Sequence, residues 1–72
     1  MDIYIDGLEQ GRHYEVLEKI IDLGFEAYAR LENYGRYAVV EILGVDEGDM
    51  AGDLGYYLES LEDEGYKVTE VK

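Results

Sequence analysis

The chain has 72 residues, with 18 acids against six bases, one His, no Cys and no Pro, giving a net charge of −12. That length supports one small domain near the lower limit for a core without staples, and the missing Cys excludes disulfides and thiolate metal sites. A hydrophobic fraction of 47%, with eight Tyr, is too apolar for a disordered acidic chain.

The opening Ile3-Tyr4-Ile5 reads as a short alternating strand, and Gly7 to Gly11 as a loop. From Arg12, the apolar positions Val16, Leu17, Ile20, Ile21 and Gly24 recur at spacings of three and four, which predicts an amphipathic helix stopped at Gly24. Phe25 to Glu32 then alternates, with Phe25, Ala27, Ala29 and Leu31 pointing one way. The stretch Asn33-Tyr34-Gly35-Arg36 supplies turn chemistry, and Tyr37 to Gly44 reads as the return strand, with Ala38, Val40 and Ile42 inside and Tyr37 and Val39 outside.

Residues 45–66 hold eight acids and no base. An EF-hand loop needs oxygen ligands at positions 1, 3 and 5, Gly at 6 and Glu at 12. A start at Glu47 puts Ala51 at the fifth place and Leu58 at the twelfth. A start at Asp49 puts Ala51 at the third and Ser60 at the twelfth, so neither register makes a calcium loop. Met50, Leu54, Tyr57, Leu58 and Leu61 instead form a helical apolar stripe, capped by Asp46 or Asp49, with Gly52 and Gly55 loosening its first turns. Gly65 ends this helix and Tyr66 to Val71 is the last strand.

Asp22-Leu23-Gly24-Phe25 matches Asp63-Glu64-Gly65-Tyr66, helix end into strand, 41 residues apart. Two β-α-β halves joined by a hairpin predict an α+β, ferredoxin-like β-α-β-β-α-β sandwich: one domain over residues 1–72, with a four-stranded antiparallel sheet and two helices on one face.

Chemistry is sparse. Ser60, Thr69 and His13 are one of each kind, with no motif to join them into a nucleophilic site. His13 is expected to help begin its helix or simply to be exposed. Zinc has too few nitrogen or sulfur ligands, and the glycines among the acids carry no Lys or Arg to hold phosphate. The expectation is no catalytic residue, no metal and no cofactor.

Surface charge is the informative property. Residues 1–36 carry eight acids and four bases, whereas residues 37–66 carry nine acids and no base. Asp49, Asp53, Tyr56, Ser60 and Asp63 fall on one face of the second helix, flanked by Glu59 and Glu62. Carboxylates four residues apart on a helix lie about 6 Å apart along its axis, of the same order as successive phosphates, so the row suits a Lys/Arg groove meant for DNA. Tyr4, Tyr28 and Tyr37 should project from the open sheet face beside Glu26, Glu32 and Glu41. Aromatics there could stack on bases, but the acids exclude direct nucleic-acid binding, and a protein partner or homodimer fits better. The expected partner-binding set is Asp46, Glu47, Asp49, Asp53, Tyr56, Glu59, Glu62, Asp63, Tyr28 and Glu41.

In size, acidity and order of elements the chain resembles small phage-encoded anti-CRISPR proteins of the DNA-mimic type. The resemblance implies a non-enzymatic inhibitor of a basic DNA-binding protein or CRISPR–Cas effector subunit, such as that of a type I Cascade complex, acting by blocking target DNA. Two alternatives are a ferredoxin-like regulatory or oligomerisation module and an ordinary domain of a halophile. No uncharged run reaches the roughly 18 residues of a membrane span, and Met1 to Gly7 lacks the marks of a signal peptide. The expected setting is therefore the cytoplasm of a bacterial or archaeal host, as a monomer or weak homodimer.

Overall fold

Gly7 decides the shape of the first strand. In the computed structural model, which describes residues 1–72, β1 runs from Asp2 to Glu9 rather than stopping at Ile5. Its pairing with the third strand shifts between Ile5, opposite Val40, and Leu8, opposite Ala38. This β-bulge falls at Gly7, whose φ of 81° suits a residue without Cβ. The extra residue returns Leu8 to the inner face, where it is fully buried. The predicted loop from Gly7 is thus half strand, and it supplies a core residue.

Helix α1 spans Arg12–Asp22 and buries His13, Val16 and Ile20. His13 begins the helix but is not exposed: at 5% accessibility it folds back, and its Nδ1 accepts the Gly11 N–H at 3.1 Å. The imidazole thus satisfies the backbone donor of the N-cap residue, the return half of a capping pair whose forward half Gly11, without a side chain, does not supply. Strands β2, Glu26–Glu32, and β3, Tyr37–Leu43, form the expected hairpin around residues 33–36. Asn33, Tyr34 and Gly35 all have positive φ there, and the Tyr34 side chain is fully exposed at the tip. Val39 lies on the outer face as expected, yet it is 6% accessible. Its cross-strand neighbour is Arg30, and long side chains of this kind lay their stems over apolar neighbours.

The predicted second helix is two helices. Helix α2 is a single turn, Glu47–Met50, and α3 runs Asp53–Asp63, with Ala51 and Gly52 between them. Gly52 is extended (φ −106°, ψ −150°) and forms the N-cap of α3. The apolar stripe survives the break, Leu54, Leu58 and Leu61 being buried and Met50 packing beside them. Gly55 explains how: a Cβ there would stand 1.7 Å from the Met50 carbonyl oxygen, so α2 closes onto α3 through the bare backbone of this glycine.

Strand β4, Lys67–Val71, completes an antiparallel sheet ordered β2-β3-β1-β4. Both long helices cover the same sheet face: Val16 and Ile20 of α1 and Leu54, Leu58 and Leu61 of α3 share one core with Ile3, Ile5, Leu8, Val40 and Ile42. Both helices also end alike. Gly24 N–H donates to the Ile21 carbonyl and Phe25 N–H to Ile20; Gly65 N–H donates to Glu62 and Tyr66 N–H to Leu61. These are Schellman closures with glycine at positive φ, and they are the physical content of the 41-residue repeat.

Candidate acidic interface

Leu54, Leu58 and Leu61 anchor α3 to the sheet, and this burial fixes where its other residues point. Asp53, Tyr56, Glu59, Ser60, Glu62 and Asp63 are all exposed, Tyr56 at 75%. None of the four carboxylates has a cation within 4.0 Å; on this helix turn only the neighbouring Glu64 is paired. Two of them oppose the helix itself. Glu62 and Asp63 occupy the last turn of α3, which holds no base. That end carries the partial negative charge of the macrodipole, and each carboxylate there costs roughly 0.3–1 kcal/mol. Neither carboxylate has an ion-pair partner elsewhere in the fold.

Asp46 and Asp49 play another part. Asp46 Oδ1 accepts the Asp49 N–H at 2.8 Å, and Asp49 Oδ2 accepts the Asp46 N–H at 3.0 Å. This reciprocal capping box starts α2. Asp49 therefore does not continue the α3 row, as an unbroken helix would have made it do; its carboxylate is committed to the backbone. Glu47 lies exposed beside them.

The sequence did not single out the clamp at the far end of α3. Arg12 Nη2 donates to both Glu64 carboxylate oxygens at 3.1 Å, and its Nη1 donates to Glu15 at 2.5 Å. The guanidinium is held further toward its charged form, chiefly by Glu15. A chain separation of 52 residues hides such a pair from any spacing rule.

Tyr28 and Glu41 lie elsewhere. They are cross-strand partners on the open sheet face, opposite the helices, in a row that continues through Tyr4 to Thr69. The ten expected partner-binding residues thus divide between two faces and cannot form one contiguous surface. Tyr4 donates to Glu41 Oε2 at 2.9 Å, and Tyr28 to Glu26 Oε1 at 2.5 Å. Arg30 sits 5.9 Å from the Tyr4 ring centre and donates to Glu32 at 2.6 Å. The face already satisfies much of its own charge.

These contacts have a pH consequence. Tyr4 is raised above its ordinary value first by its hydrogen bond to Glu41, Tyr28 by Glu26, Tyr66 by Glu9, and Tyr57 by burial. Each native state holds the phenol proton more firmly than the unfolded chain does. The resulting stability is whole below the ordinary tyrosine pKa of about 10 and drains away as pH rises through the raised values. Tyr4→Phe and Tyr28→Phe should each delete a late component from the tyrosinate absorbance titration. A curve unchanged by either substitution would contradict the hydrogen bonds.

No three His, Asp or Glu side chains are gathered as metal ligands would be, and no helix is long and apolar enough to cross a membrane. Set against protein-family profiles, curated proteins and solved structures, the chain finds no match in any of the three.

Proposed function

We propose that this chain is a ferredoxin-like domain serving as an acidic inhibitor, one that occupies the nucleic-acid groove of a basic protein. The strand order β2-β3-β1-β4 and the two long helices on one face support the fold assignment, α2 being an added turn in the second crossover. The function is carried by one observation: the exposed, unpaired carboxylates of α3, two of them placed against the helix dipole. A partner with a basic groove would give these charges the pairing that the fold itself does not. A rigid row of carboxylates meets a Lys/Arg groove through the same long-range attraction and counterion exchange that phosphates use.

The class of partner is a DNA-handling protein inside a bacterial or archaeal cell, and the resemblance noted above makes a CRISPR–Cas effector the first to try. Salt adaptation would scatter acids over the surface, whereas here residues 37–66 hold nine acids and no base. The test is capture of the effector on the immobilised chain, followed by competition with target DNA. Inhibition predicts mutually exclusive binding, and an affinity that falls steeply as salt rises. An effector that binds the chain and still takes up target DNA normally would sink the proposal.

A further inference from the structure

Strand β2 is an edge strand that carries no Lys, Pro or bulge to blunt it. The other edge, β4, is five residues long and opens with Lys67; short edges and Lys are common protections against pairing. By contrast β2 is seven residues long, without Lys or Pro, and its register with β3 runs unbroken from Glu26 to Glu32.

The apolar surface of the molecule collects at this same edge. Arg12 reaches Glu64 and Lys19 lies over the Tyr57 ring, so that flank of α1 faces α3. The opposite flank, with Tyr14, Leu17 and Ile21 at i, i+3 and i+7, overhangs β2, on which α1 packs. Tyr14 is 68% exposed, Ile21 51%, Leu31 50% and Tyr28 56%. Four of the seven exposed large hydrophobics therefore border one unpaired strand.

The strand also complements itself. If two copies of β2 pair antiparallel about Tyr28, Glu26 of each stands opposite Arg30 of the other. Ala27 then faces Ala29, Phe25 faces Leu31, and Tyr28 meets its own copy. Opposite charges, small residues and apolar residues all pair correctly in this one register. Centring the pair on Ala29 instead would set Glu26 against Glu32. The β2 side is also the less acidic one, since the nine acids without a base belong to residues 37–66.

We infer that β2 and the Tyr14–Ile21 flank of α1 form a two-fold interface with a second copy of this chain, joining two sheets into one of eight strands. The α3 arrays then lie at the two outer ends, both accessible. The dimer does not depend on the inhibitor reading, because a monomer would present the same α3 surface.

Sedimentation equilibrium is expected to show a reversible, concentration-dependent dimer of the 8.2 kDa chain, as weak, small interfaces give. Added salt should tighten it, because two strongly acidic copies repel; partner binding should respond in the opposite sense. Glu26→Arg or Arg30→Glu alone should weaken the dimer about tenfold or more, and the double exchange should restore it. Residues 26 and 30 lie about 13 Å apart along their own strand, so rescue requires contact between copies. Because the chain has no Cys, Tyr28→Cys should oxidise readily to a disulfide-linked dimer, while Tyr56→Cys should not. A protein monomeric at every concentration and salt, a dimer indifferent to the single charge changes, or equal oxidation of the two Cys variants would each overturn the inference.

Discussion

Gly55→Ala is expected to lower Tm by roughly 10 °C or more, the shift that about 2 kcal/mol produces in a domain of this size. Helix propensity alone says the reverse. Ala in a helix interior is favoured over Gly by roughly 0.8–1 kcal/mol, and position 55 lies inside α3. The opposing effect is steric. The added Cβ would fall 1.7 Å from the Met50 carbonyl oxygen and 2.7 Å from its carbonyl carbon. Both are backbone atoms, so no side-chain rotation relieves the overlap, and α2 must lift from α3. Overpacking costs about 1–3 kcal/mol, and overlap with backbone atoms stands at the top of that range; less the propensity gain, about 2 kcal/mol remains, and lifting α2 also disturbs Met50 against the core. Gly52→Ala is the control. Its Cβ would meet the Asp49 and Gly48 carbonyl oxygens at an ordinary 3.6 and 3.9 Å, so its cost should stay within about 1 kcal/mol, the size of an N-cap preference. A Gly55→Ala protein that melts at or above the parent temperature would show that the two helices do not close on each other as described.

That glycine also marks where sequence periodicity stops being informative. Met50, Leu54, Leu58 and Leu61 keep helical spacing across the break, because spacing records which side chains reach the core and not whether the backbone between them stays helical. Ala51 and Gly52 interrupt α2 and α3 without moving the stripe to another face. The same blindness hid Leu8. Strict alternation from Ile3 and Ile5 fails at Gly7, and only the bulge restores the inward side. What could be read was what local chemistry determines: the glycine stops that gave both Schellman closures, the Asn33–Arg36 turn, and the inward Ala38, Val40 and Ile42. Of the candidate site, the outward position of Asp53, Tyr56, Glu59, Glu62 and Asp63 was legible from the helix period. The use of Asp46 and Asp49 in a cap was only half legible. The Arg12–Glu64 clamp and the buried His13 depend on how distant elements meet, which no spacing encodes.

Changing Asp53, Glu59, Glu62 and Asp63 together to Lys is expected to abolish partner binding, by about a thousandfold or more, while leaving the fold intact or firmer. Asp49 is left alone, because replacing it would remove half of the capping box and mix a folding defect with a binding one. The four exchanges turn the α3 face from acidic to basic and reduce the net charge from −12 to −4. For a contact made through several charge pairs, each reversal replaces attraction by repulsion, and tenfold corresponds to only about 1.4 kcal/mol. The stability effect runs the other way. Lys at positions 62 and 63 suits the C-terminal end of α3, gaining roughly 0.3–1 kcal/mol at each site, and relief of self-repulsion adds to this. Lys at position 53 gives part of it back, since an acid in the first turn is favourable. Tm should therefore hold or rise by a few degrees while binding disappears, a pairing of signs that damage to the fold cannot imitate. If the quadruple variant still captures the effector, the contact surface is not α3. Tyr4, Tyr28 and Glu41 on the opposite sheet face are then the residues to change next.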